Sequence, residues 1–171
     1  KSDARGITYF GSHLSAAYPG APPVRSTGGQ RVLLGIIDHF SNWKWAPCMP
    51  SKSDSVGHLA RIINKDKLKI KVLRTDKGGE FKNGAMERLK DTVGFKQEFA
   101  STGESQQNGR AEKCIQDIMG PTRVNLQEAC VGLSFWVEAT NHATYTANRL
   151  PCYVNPDNKA PYEMRYGRRP N

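Results

Sequence analysis

The sequence predicts an α/β domain, a mixed sheet with helices packed against it. Three observations predict this. Residues 31–37 (Arg-Val-Leu-Leu-Gly-Ile-Ile) are almost continuously apolar, the pattern of a buried strand. Residues 69–75 return to strand character after a segment of helical spacing, and strand–helix–strand order predicts a right-handed crossover into a parallel pair. Ala111, Cys114, Ile115, Ile118 and Met119 then repeat at helical spacing, a stripe that faces a core.

The elements follow in chain order. Residues 19–29 are rich in Pro and Gly and read as a loop. Trp43 to Met49 is a second strand, stopped by Pro50, so 31–37 and 43–49 form a hairpin turning at Ser41-Asn42. Ser53 is placed to cap a helix that carries Val56, Leu59, Ala60 and Ile63 on one face. A short helix near 84–91 and a strand near 94–99 come next. Residues 100–109 are polar and read as a flexible loop. Gly120-Pro121 is expected to break or kink the helix that begins after them. A last long helix, 133–150, puts Trp136, Ala139, Ala143, Ala147 and Leu150 on one face. A Pro-rich, basic tail closes the chain.

Composition narrows the function. The chain has 171 residues, room for one domain with a core of its own. No stretch approaches the length of a membrane span, and no signal segment opens it. The formal charge is +9, which suits either a polyanionic partner or a plain solvated basic surface. The four cysteines form no CxxC pair and the four histidines no HxxxH pair, so neither a zinc site nor a disulfide framework is indicated. A reducing intracellular compartment fits that usage.

Two carboxylates stand out. Asp76 ends the strand 69–75 and precedes Lys77-Gly78-Gly79; an Asp there is either a turn residue or a ligand at the carboxyl edge of an open α/β sheet. Glu112 lies beside the apolar stripe of its helix, either solvated in the first turn or leaning toward the sheet edge. Between them stand 35 residues, 77 to 111.

At this point the sequence resembles the retroviral and retrotransposon integrases, whose signature is two Asp followed by a Glu after such an interval. Arg74-Thr75-Asp76-Lys77-Gly78-Gly79-Glu80-Phe81 resembles the copia-type RxDNGGEF string, with Lys in place of Asn. Gln106-Gln107-Asn108-Gly109-Arg110-Ala111-Glu112-Lys113 resembles QQNGxAER. Phe135-Trp136, Asn148-Arg149-Leu150-Pro151 and the stretch from Pro161 to Asn171 extend the likeness over nearly the whole chain from about residue 15.

The resemblance implies the catalytic core of a copia-type integrase, an RNase H-like α/β fold with a mixed five-stranded sheet flanked by helices. Residues 1–14 are then a linker or the tail of an upstream region, and 15–171 the core. The implied chemistry is metal-assisted phosphoryl transfer, DNA 3′-end processing and strand transfer, with two Mg²⁺ (or Mn²⁺) ions roughly 3.5–4 Å apart in an intact site. Asp76 and Glu112 would be catalytic metal ligands; Lys77, Gln107, Asn108 and Lys113 would meet DNA. The implied partners are double-stranded DNA (element ends and target) and further copies of the chain, with the exposed side of the 133–150 helix (Glu138, Asn141, Tyr145) as a contact face. The implied location is nuclear in action and cytoplasmic during particle assembly. A complete reaction would also need the family's zinc-binding amino-terminal region and its carboxyl-terminal tail.

The chain departs from the pattern at one decisive place. Aligned backward from Gly28-Gly29, the family's first-strand string HxDLxGP falls on residues 15–21, and its Asp falls on Ala17. This implies an inactive copy or an inactivating substitution. Asp38 is no substitute: if 12–18 pairs with 31–37, Ala17 lies near residue 32 and Asp38 roughly 20 Å further along. A turn-stabilising role suits Asp38 better. The rival reading is a non-catalytic DNA-binding or assembly module; a nuclease of RNA–DNA hybrids with the same fold is a third.

Overall fold

The computed structural model describes residue 7, residues 9–20, 22, 24–75, 78–99 and 105–171, the side chains of 105–108 excepted. Its strands are β1 (His13–Ala17), β2 (Val32–Leu33), β3 (Gly35–Asp38), β4 (Lys44–Trp45), β5 (Cys48–Met49), β6 (Val72–Thr75) and β7 (Lys96–Phe99). Its helices are α1 (Ser55–Asp66), α2 (Gly84–Val93), α3 (Ser105–Glu128), α4 (Trp136–Ala147) and α5 (Pro161–Tyr166).

The main sheet has five strands in the order β4-β3-β1-β6-β7. β1 runs antiparallel to β3 and parallel to β6, and β6 runs parallel to β7. The sheet is therefore mixed, as the sequence predicts. Alternation along the strands divides the core between its faces. Leu14, Ala16, Ile36 and Leu73 pack with Val56, Leu59 and Ile63 of α1 and Met86 of α2. Ile37 faces the other way, into a cluster with Cys114, Ile118 and Leu126 of α3 and Trp136 of α4.

The predicted hairpin forms, with Ile36 opposite Trp45 and Ile37 opposite Lys44. It is interrupted at Leu34, and β2 and β5 make a small sheet of their own. Helix α1 is not capped by Ser53. Ser51 and Asp54 form a reciprocal capping box that starts a single 3-10 turn running into α1.

Helix α3 departs from expectation at two places. Residues 105–109, expected as loop, are already helical. The helix also continues through Gly120-Pro121 to Glu128. An interior Pro costs about 3 kcal/mol because it removes one helical hydrogen bond and crowds the preceding turn. Here Pro121 is exposed, while Ile118 and Leu126 on either side of it are buried. Each such burial is worth about 1.5–3 kcal/mol, enough to offset the break. The Thr122 hydroxyl also donates to the Ile118 carbonyl at 2.7 Å.

Helix α4 ends at Ala147 rather than 150, and Leu150 lies exposed beyond it. The end is set by Asn148. Its side chain accepts from the Lys44 backbone N–H and donates to the Lys44 carbonyl, each at 2.8 Å. Asn148 thus pairs with the outer edge of β4 as a neighbouring strand would, and blunts an edge open to unwanted pairing. Beyond it, α5 is fastened to α1: Arg165 meets Asp66 at 2.8 Å, and the Trp45 indole donates to the other Asp66 oxygen at 2.8 Å.

Candidate catalytic end of the sheet

β1 and β6 are parallel neighbours at the middle of the sheet, so their carboxyl ends emerge together, where open α/β sheets place their ligands. Ala16 is the partner of Thr75, and Ala17 the partner of Gly35 on the other side. Ala17 is buried, with 4% of its surface exposed. Asp76 and Lys77 lie outside the described residues, as do the side chains of Gln107 and Asn108.

The expected pairing of Ala17 with residue 32 is corrected to Gly35. The chain between β1 and β3 leaves the main sheet at β2, so the antiparallel register starts three residues later than a simple hairpin would allow. Asp38 is then opposite Leu14, about 10 Å from Ala17 at ordinary strand rise instead of 20 Å. Its position still belongs to the turn. One oxygen accepts from the Gly11 N–H at 2.9 Å; the other accepts from the Ser41 N–H at 2.8 Å and the Ser41 hydroxyl at 2.6 Å. Burial pushes the Asp38 carboxyl above the usual carboxylate range, against the pull of those bonds.

Glu112 is exposed on α3. One turn later on the same side, Ile115 reaches Gly35, the partner of Ala17. The helix therefore carries Glu112 near the Ala17 end of the sheet. Lys113 is also exposed, and its ammonium is paired with Asp117 at 3.1 Å, which holds its pKa above the usual lysine value. Asp117 meets the buried Lys44 as well, at 3.5 Å.

Gly35 allows this approach. A Cβ there would stand 3.0 Å from the Ile115 side chain and 3.8 Å from the Cys114 sulfur. Gly35→Val is expected to lift α3 and lower stability by about 1–3 kcal/mol, as overpacking does. A thermal melt read by circular dichroism checks this, and an unchanged midpoint would refute the close contact.

Several polar contacts at this end are invisible to motif reading. The Ser15 hydroxyl pairs with His39 Nε2 at 2.7 Å. The Tyr18 hydroxyl pairs with the Ser55 hydroxyl, and the Lys52 ammonium lies 4.6 Å from the Tyr18 ring centre. Lys52 also meets Glu80 at 3.2 Å, and Arg74 meets Glu98 at 2.9 Å. Each joins common residue types far apart in sequence, and although Ser15, Tyr18, Arg74 and Glu80 lie in strings already singled out, their partners do not. The cysteines are free; burial pushes the thiols of Cys48 and Cys114 up to about 12, which makes both poor nucleophiles.

The donor set can be tested against a two-ion site. A buried methyl at position 17 offers no oxygen, and hard divalent cations require oxygen ligands. Among the described residues no group of three or more His, Cys, Asp or Glu side chains is placed to hold a cation. Ala17 itself therefore offers nothing to a cation, and Asp76 lies outside the residues so compared.

No protein-family model matches the chain. Over 137 residues, 77% of its length, the chain is 31% identical to the "Retrovirus-related Pol polyprotein from transposon TNT 1-94" of Nicotiana tabacum. Over 153 residues, 87% of its length, it is 24% identical to the corresponding polyprotein from transposon RE2 of Arabidopsis thaliana. It spans about 10% of the length of each. The HTLV-2 integrase catalytic core domain, solved in complex with magnesium in a trimeric form, superposes with a TM-score of 0.72 at 16% identity. That superposition covers 92% of this chain and 98% of the other. The fold is thus the RNase H-like fold of integrase catalytic cores. By sequence the chain belongs to the copia-type retrotransposon integrases, within the retroviral integrase superfamily. Among the described residues no helix is long and apolar enough to cross a membrane.

Proposed function

We propose that the chain is an integrase core built for DNA 3′-end processing and strand transfer in the nucleus, and that this copy is silent in both reactions. One observation carries the proposal: Ala17 stands at the carboxyl end of the central strand, buried, beside the end of β6 and opposite Gly35. That is the place at which the family pattern puts its first Asp. Asp76 and Glu112 remain as the carboxylates for Mg²⁺ or Mn²⁺, and the set is one short. A disintegration assay on branched DNA with either metal is expected to show no product from the unaltered chain. Turnover above background would refute silence.

Loss of the reaction leaves DNA binding in place, and here the rival reading of a non-catalytic binding module has its own support. The charge is +9, and Lys77, Gln107, Asn108 and Lys113 are the proposed contacts near the site. Binding of this kind releases counterions and weakens with salt. Affinity for random duplex DNA is expected to fall on the order of tenfold or more between roughly 50 and 200 mM salt. A salt-insensitive signal would point to a protein partner instead.

Self-association is proposed through α4 and the loop before it. Val131, Leu133 and Phe135 are exposed at 41%, 55% and 43%, an apolar surface a lone domain gains nothing by showing to water. Glu138 is exposed one turn further on. Sedimentation at rising concentration is expected to show dimers, and Phe135→Asp to reduce them. A strict monomer would remove this proposal.

A further inference from the structure

At the far edge of the sheet, β4, α4 and α1 enclose an open groove of about 480 Å³. Trp43 and Trp45 line it from β4 and its turn, and Asn141, Tyr145 and Arg149 from α4 and the residues after it. It lies two strands from β1, roughly 10 Å across the sheet. From the geometry we infer that this groove binds single-stranded nucleic acid, stacking unpaired bases on its aromatic rings. The inference does not depend on the state of position 17.

Aromatic rings and guanidinium groups alternate along this edge. The Arg149 guanidinium lies 3.4 Å from the Tyr145 ring centre and 4.9 Å from that of Tyr162. Tyr162 and Tyr166 follow at 4.7 Å, and Trp43 meets Tyr166 at 5.8 Å. Part of this ladder is structural, because Arg165, against Trp43 and Asp66, fastens α5. Tyr145 is different. It is 57% exposed, and its ring contact is with Arg149 on one face. A ring stiffened by a stacked guanidinium is a ready platform for a base.

Charge selects the occupant. The residues lining the groove include Arg149 and the buried Lys44, already paired with Asp117, but neither Asp nor Glu. Among the described residues Arg149, Lys65 on the same side of α1 as Ile62, and Arg168 near Tyr162 have no carboxylate partner. A cationic peptide would meet the Arg149 charge here with no lining carboxylate to pair with, whereas a phosphate backbone would meet a guanidinium already stacked on a ring. Duplex bases are already stacked inside the helix and cannot reach the rings; unpaired bases can. Asn141 and Tyr145 also belong to the self-association face expected from the sequence, and the oligomeric state separates the two roles.

Fluorescence anisotropy of the whole chain with labelled oligodeoxythymidine, against a mixed duplex of equal length, tests the inference. Tyr145→Leu keeps the apolar bulk and removes the ring; it is expected to weaken single-strand binding about tenfold or more while duplex binding stays within about twofold. Tyr145→Phe should bind as the unaltered chain does. Arg149→Gln should weaken single-strand binding and flatten its salt dependence. Unchanged single-strand affinity in Tyr145→Leu would overturn the inference, as would an equal loss on both probes, which would make the groove a general phosphate surface. A change in oligomeric state instead of in oligonucleotide affinity would assign the groove to a second copy.

Discussion

Ala17→Asp is expected, on the proposed reading, to gain metal-dependent strand transfer or disintegration on branched DNA that the unaltered chain lacks. A missing member of a metal-binding set costs several kcal/mol of transition-state stabilisation, so the gain should be about a hundredfold over background or more. The substitution has a cost of its own. The position is buried, and a carboxylate added near others is repelled until a cation arrives. The variant should therefore melt below the unaltered chain without metal and recover when Mg²⁺ or Mn²⁺ is added, by more than the unaltered chain gains. Ala17→Asn, similar in size but uncharged, should restore little. Asp38→Asn in the restored background should leave the activity largely intact, because Asp38 serves the turn. Loss of the regained activity in that double variant, with the fold retained, would make Asp38 a ligand after all.

Asp38→Ala is expected to be the most damaging change away from the sheet's catalytic end. It strands the Gly11 N–H, the Ser41 N–H and the Ser41 hydroxyl, all inside the protein. An unsatisfied buried donor costs about 1–3 kcal/mol, so stranding three costs about 3 kcal/mol at the least. In a domain of this size that lowers the melting midpoint by roughly 6–12 °C. The effect also has a pH signature. Burial raises the Asp38 pKa in the folded state, so the native protein holds this proton more tightly than the unfolded chain. Its contribution is then largest below the unfolded value and is lost as pH rises through the folded value. Asp38→Asn should remove that decline, visible as a more positive slope of stability against pH just above the ordinary aspartate range. Identical slopes would show that Asp38 does not titrate with folding.

Most of the architecture could be read from residue patterns, and the failures have particular causes. The hairpin was legible because Ile36 and Ile37 belong to an unbroken apolar run. Its register was not, because β2 and β5 pair with each other and take up chain that a simple hairpin would have used. The start of α3 was missed because Ser105 to Gly109 contain no apolar residue from which to read a period. The passage through Pro121 was missed because its cost is local while the compensation comes from contacts with α4. For the site, spacing pointed to Asp76 and Glu112, and alignment of short strings pointed to Ala17. The supporting pairs, Ser15 with His39 and Lys52 with Glu80, lie 24 and 28 positions apart and follow no spacing rule. The cation–aromatic ladder was equally hidden: its members come from the turn before β4, from α4 and the residues after it, and from α5, which only the fold brings together.

The proposed loss of the first carboxylate can be tested most directly in the unaltered chain. Crystals soaked in Mn²⁺ and measured at the manganese edge are expected to show at most one ion, between Asp76 and Glu112, if the Ala17 methyl stands in place of the third carboxylate as proposed. Two well-occupied ions with Ala17 in place would contradict it.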